Sequence, residues 1–189
     1  MTNLYKKTEE FVKKSFINAG RESGIKHLLR TADWVKKLKP DADESLLIAA
    51  VSHDIERAFR ESSHENIFQD TDKGFMAPEH LEKHSKKGSE IIGKFLEEQG
   101  ANPELIQKVK DLVLKHEIGG NKDENLLKDA DSISFFENNI DFFLTNAVPK
   151  VGIKKVEDKF NWMLDRITSR EAKEIVLPWH EEAIERLKG

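Results

Sequence analysis

An aspartate directly follows a histidine inside an apolar run, Ile48-Ala49-Ala50-Val51-Ser52-His53-Asp54-Ile55. Neither an imidazole nor a carboxylate belongs in an apolar interior without a partner. A metal ion would satisfy both at once. The bland alternative is a histidine bonded to a carbonyl beside an aspartate that caps a neighbouring element. Further ligand types lie along the chain: His27 upstream, then His84, His116 and Asp131 downstream. The chain has no cysteine, so an ion would be held by nitrogen and oxygen alone. Several histidines with carboxylates suit iron, manganese, zinc, cobalt or nickel better than calcium or magnesium.

The elements that must carry these groups read as helices almost throughout. Leu4, Phe11, Val12 and Phe16 outline a first amphipathic stretch, and Ile25, Leu28, Leu29, Ala32, Val35 and Leu38 a second that ends before Pro40. His27 lies on the edge of that second stripe. Asp43 is placed to cap a third helix, whose core face runs through Leu46, Leu47, Ala50 and Val51 to the His53-Asp54 step. The stretch from Arg60 to Pro78 has no clear period and reads as a long loop, a feature often tied to function; it contains His64. The helical period resumes with Leu81, Ile91, Ile92, Phe95 and Leu96. His80 and His84 share one face there, and Gly88 lies one turn beyond His84. A glycine inside a helix weakens it by ~1 kcal/mol relative to alanine, which close approach of another element would justify. Pro103 opens the next helix, whose stripe Leu105, Val109 and Leu112 continues to His116 before Gly119-Gly120. Leu126, Leu127, Ala130, Ile133 and Phe136 outline another, with Asp129 and Asp131 both open as its chemical residue. Charged amphipathic helices follow from about Val156 and from Ser169, with Pro178 expected to kink or interrupt the last. His180 reads as a surface residue.

No strand pattern and no internal repeat is visible. The expectation is an all-α, single-domain bundle of six to nine helices: an N-terminal helix over 1–19, a core over 20–145, and a helical extension of the same domain over 146–189. Thirty-one basic and thirty-five acidic residues give a net charge of -4, which argues against a nucleic-acid surface but leaves room for a small phosphorylated ligand at a local positive site. No apolar stretch approaches the ~20 residues of a membrane span. The first residues lack a signal-peptide core, so the cytoplasm is the expected compartment. Self-association through the C-terminal helices is left open.

The ordered set His, His-Asp, His, His, Asp resembles the HD superfamily of metal-dependent phosphohydrolases over roughly Gly20 to Phe136. The anchors are His27 within Ile25-Lys26-His27-Leu28-Leu29-Arg30, the Ala-x-x-His-Asp-Ile step from Ala50 to Ile55, and Ala130-Asp131. The resemblance implies His27, His53, Asp54 and Asp131 as ligands of one ion. It favours Asp131 over Asp129, because that family's last aspartate usually follows an alanine. It also implies His84 and His116 as the additional histidines of two-metal members, with Asp54 bridging the ions and serving as the catalytic carboxylate. The expected activity is hydrolysis of a nucleotide or other small phosphate ester or anhydride by metal-activated water. Arg30, Arg57, Lys87 and Lys115 are candidate phosphate contacts. Two alternatives stand beside it: a two-iron oxygenase of the same architecture, and a non-catalytic regulator that binds a nucleotide or metal.

Overall fold

The computed structural model describes residues 3–60 and 76–189; His64 lies outside them. Among the described residues the chain is all-helical, without a strand. Helices α1 (Asn3–Asn18), α2 (Ser23–Leu38) and α3 (Glu44–Ser52) are followed by a 3-10 turn, Ile55–Phe59. Then come α4 (Pro78–Glu98), α5 (Pro103–Lys115) and α6 (Lys122–Asn138). A short α7 (Ile140–Phe142), a π turn (Phe143–Ala147) and α8 (Val148–Val151) lead into α9 (Ile153–Asp165) and α10 (Arg170–Lys188).

Most boundaries follow from capping chemistry. The Asp43 side chain accepts from Leu46 N at 3.0 Å and starts α3. Asn102 accepts from Glu104 N at 2.7 Å, with Pro103 in the first turn of α5. Asn121 and Glu124 form a reciprocal capping box on α6. Gly119 ends the preceding turn with a φ of 74°, a conformation that favours glycine.

Helix α3 is the centre of the molecule. Leu46, Ile48, Ala49, Ala50 and Val51 are all buried, so the helix is apolar on every side and must be enclosed. It packs on α1, α2, α5 and α6, while α2 pairs with α6 and α4 with α5. The N-terminal helix buries Tyr5, Val12 and Phe16 against this core. The C-terminal segment folds back through Phe160, Met163, Val176 and Leu187, and the Phe160 ring meets Phe135, Phe136 and Phe143.

Two expectations need correction. The His-Asp step does not lie within a helix: α3 ends at Ser52, His53 is its C-cap, and Asp54 (φ -100°, ψ 16°) turns the chain into the 3-10 segment. Neighbouring residues of a regular α-helix point about 100° apart; leaving the helix here lets both side chains serve one centre. The second correction concerns Pro178, which does not interrupt α10, as the helix runs from Arg170 through to Lys188. Among the described residues no helix is long and apolar enough to cross a membrane.

Candidate metal centre

All six residues singled out by type and order converge. His27, His53 and Asp131 form one buried triad, and Asp54, His84 and His116 a second; within each, one ligand atom per residue lies within 4.8 Å of the others. The four imidazoles form a continuous row, with ring centroids 5.3 Å apart from His27 to His53, 5.1 Å from His53 to His116 and 5.4 Å from His116 to His84. Five segments supply them: α2 gives His27, the end of α3 gives His53 and Asp54, α4 His84, the end of α5 His116, and α6 Asp131.

In the first triad, Asp131 Oδ1 is 3.1 Å from His27 Nε2 and 3.4 Å from His53 Nε2. In the second, Asp54 Oδ1 is 2.8 Å from His84 Nε2 and 3.9 Å from His116 Nε2. The other Asp54 oxygen, Oδ2, faces the first triad, 4.0 Å from His27 Nε2 and 3.8 Å from His53 Nε2. Asp54 thus presents one oxygen to each side. Donors sharing an ion at about 2.1 Å stand about 3 to 4 Å from one another, so these separations suit a shared cation.

The imidazoles are oriented for ligation. His53 Nδ1 donates to the Ala50 carbonyl at 2.9 Å and His116 Nδ1 to the Val113 carbonyl at 2.6 Å, which in the neutral ring that binds a metal leaves each Nε2 as the lone-pair nitrogen. Those two Nε2 atoms are buried and have no hydrogen-bond partner. A buried unsatisfied nitrogen is costly, on the order of 1–3 kcal/mol, and a cation would remove the penalty at both. His84 Nδ1 donates to Glu56 Oε2 at 2.8 Å, the carboxylate–histidine arrangement common behind metal ligands. Gly88 makes this approach possible: a Cβ there would stand 3.3 Å from the His53 carbonyl oxygen and 3.5 Å from Val113. The close approach expected for that glycine is therefore present, and the element approached is the doublet itself.

Electrostatics reflect the crowding of charge. Burial opposes charging of His53, yet Asp131 and Asp54 outweigh it and raise its pKa to about 9. Burial likewise opposes the ionised carboxylates; Arg57 and His53 hold Asp54 well below the usual carboxylate range, and Arg166 and His53 do the same for Asp131. Glu56 is lowered to about 2 against its burial, chiefly by His84 and Arg60. Four buried histidines with carboxylates on both sides form a donor set that fits divalent transition metals.

Asp129 and Asp131 separate clearly. Asp129 accepts from Thr168 N and Ser169 N, each at 2.8 Å, and from the Thr168 hydroxyl, so it fastens the α9–α10 connection. Asp131 alone of the two faces the histidines. Of the candidate phosphate contacts, Arg57 is beside the centre, with Nε 2.8 Å from Asp54 Oδ2 and a side chain 46% exposed. Arg30 is engaged elsewhere, by Glu137 through two contacts of 2.8 and 2.9 Å and by Asp33. Lys87 lies at the surface with Nζ 3.4 Å from the Phe59 carbonyl, and Lys115 is half-buried at the end of α5. His80 stacks on His84 at 6.5 Å outside both triads, and burial with the nearby Arg60 lowers its pKa to about 4. His180 is half-buried rather than at the surface and pairs with Asn161 at 2.8 Å.

Four charged residues not anticipated from the sequence complete the surroundings. Arg166, from the α9–α10 connection, pairs with Asp131 Oδ2 and with Glu117 Oε2, and its Nε donates to Ser132 Oγ at 2.9 Å. Glu117 follows His116 and carries Oε1 3.6 Å from its Nε2. Glu56 and Arg60 pair at 2.6 Å beside His84. Proximity to the doublet and to His116 could have flagged Glu56 and Glu117. Nothing in the sequence around Arg166 distinguishes it from other helix-end arginines.

The family described as Domain of unknown function (DUF4202) matches residues 10–183, nearly the whole chain, and the protein belongs to it. Neither the curated proteins nor the solved structures yield a match.

Proposed function

We propose that this protein is a cytoplasmic, divalent-metal-dependent phosphohydrolase acting on a nucleotide or another small phosphate ester or anhydride. The observation that carries the reading is the pair of buried triads with the two Asp54 oxygens directed one to each. With Asp54 shared, four protein donors for one ion and three for the other leave coordination positions open on a six-coordinate ion, which is the habit of catalytic rather than structural sites. Divalent ions held there would acidify water and polarise a phosphoryl oxygen.

The chain's own residues supply the rest. His27, His53 and Asp131 would hold one ion and His84 and His116 the other, with Asp54 between them. Arg57 fixes Asp54 through Nε and lies half-exposed at its edge, where its remaining N–H groups suit a phosphate oxygen. Charge favours the same class of ligand. The carboxylates of Asp54, Asp131, Glu56 and Glu117 are already attended by Arg57, Arg166 and Arg60. Added divalent cations therefore leave the centre strongly positive and in need of an anionic ligand. Burial of all six ligand residues restricts bulk water around them.

The test is metal analysis of the purified protein, followed by a panel of nucleotides and phosphate esters with iron, manganese, zinc, cobalt and nickel added back separately. The expected result is metal-dependent phosphate release that disappears in Asp54→Ala. A metal-loaded protein inert towards the whole panel would refute the assignment.

A further inference from the structure

Two helix ends in this molecule are built alike. His53 is the C-cap of α3 and His116 the C-cap of α5. Each turns its Nδ1 back to the carbonyl three residues earlier, Ala50 at 2.9 Å and Val113 at 2.6 Å, and each holds a buried Nε2 without a hydrogen-bond partner. A buried acidic residue follows each histidine where the helix stops, Asp54 in one case and Glu117 in the other. Asp54 reaches both triads. Glu117 stands beside one of them: its Oε1 lies 3.6 Å from His116 Nε2, within the about 3 to 4 Å that separates two donors sharing an ion.

A second parallel runs through Arg166. It pairs with Asp131 Oδ2, while Asp131 Oδ1 faces His27 and His53 at 3.1 and 3.4 Å. It also pairs with Glu117 Oε2, while Glu117 Oε1 faces His116. One guanidinium thus turns one carboxylate towards the imidazoles of each triad. Donor numbers agree. With Asp54 shared, the first triad offers an ion four side chains and the second offers three; Glu117 makes the two equal. Glu117 lies on the His116 side of the second triad and is not part of the group whose donor atoms stand within 4.8 Å of one another. Rotation about its side-chain bonds can close that gap.

We propose that Glu117 is a seventh metal-ligating side chain, the fourth protein donor to the ion held by Asp54, His84 and His116. That role rests on the metal-centre part of the proposed function and not on hydrolysis.

Manganese titration of the metal-free full-length protein by calorimetry tests it, in two backgrounds that each cripple one site. His27→Ala removes a donor of the first triad, and His84→Ala one of the second. Adding Glu117→Gln to His27→Ala should weaken the remaining ion by at least about tenfold, since even groups that only support a ligand contribute that much. Adding it to His84→Ala should leave the remaining ion as tightly bound as before. The visible absorption of the cobalt-loaded His27→Ala protein should also change with Glu117→Gln, because losing a ligand alters the coordination geometry. A carboxylate that only neutralised Arg166 would lower the melting temperature of the metal-free protein and shift neither the manganese affinity nor the cobalt spectrum; that result would overturn the inference, as would equal weakening in the two backgrounds. Should either histidine variant fail to fold, Glu117→Gln alone decides. Weakening of one manganese equivalent out of two supports the role, and weakening of both or of neither overturns it. A protein whose second site depends on Glu117 yet hydrolyses nothing supports this inference and refutes the hydrolytic one. Hydrolysis with both ions retained in Glu117→Gln refutes this inference alone, and a protein that binds no manganese refutes both.

Discussion

Arg166→Ala removes one guanidinium that serves two buried carboxylates at once. Its side chain is only 6% exposed, and it meets Asp131, Glu117 and the Ser132 hydroxyl. Deleting one partner of a buried ion pair costs about 3–5 kcal/mol, because the other charge is left uncompensated. For a chain of this length each kcal/mol corresponds to about 2–4 °C, so the metal-free variant should melt about 6–20 °C below the parent. With manganese at saturation the gap should narrow by roughly half or more: an ion neutralises Asp131, which leaves at most Glu117 without a partner. Thermal unfolding followed by circular dichroism, once with chelator and once with manganese, measures both gaps. A chelated variant within about 2 °C of the parent would refute the importance of the guanidinium fork. An identical gap under the two conditions would refute the placement of Asp131 against a cation.

Other perturbations separate roles that the sequence alone leaves merged. Asp131→Asn should abolish binding at the first triad, whereas Asp129→Asn should retain both ions and lose about 1–2 kcal/mol through the α9–α10 connection, read by calorimetry and denaturant unfolding; equal metal loss in both variants would be inconsistent with the geometry. Gly88→Val should push α4 from the His53 carbonyl, destabilise the protein by about 1–3 kcal/mol and loosen the second ion; unchanged stability and metal affinity would mean the contact is slack. Burial lowers the Lys159 pKa to about 8 from its ordinary 10.5, with Glu117 opposing and Arg166 assisting. Between those values the unfolded chain holds the extra proton, so this group's contribution to stability rises as pH goes from about 8 to 10.5. In a comparison with Lys159→Met, the stability difference should depend on pH across that interval, and a flat difference would contradict it.

The clustering of the six candidate residues was legible because it depends on order and helical face, both of which survive in a linear chain. His116 continues the stripe of Leu112 and Val109, so periodicity alone points it inward from α5; Asp131 was set apart from Asp129 only by the resemblance. Asp43 likewise announced α3 and Pro103 announced α5, whereas the Asn121–Glu124 box that starts α6 went unread. What escaped is geometry set by long-range packing. The stripe through Ile48 to Ile55 carries no mark of where α3 yields to a 3-10 turn, because an apolar interior accepts either. Pro178 lies within a helix held by burial of Val176 and Ala183, and tertiary packing outweighs the local penalty. Arg30 is engaged by Glu137, 107 positions away, and Arg166 meets Asp131 from a connection 35 positions later. Pairings across such separations leave no local pattern, so the arginine nearest His27 in sequence was a candidate and the arginine that supports the centre was not.

The claim on which the rest depends is that six buried side chains form a centre for cations. Crystals grown with manganese and measured for anomalous scattering test it most directly. The account predicts peaks within the two triads, one bounded by His27, His53 and Asp131 and the other by Asp54, His84 and His116. Saturated crystals without an anomalous peak at either triad would contradict it.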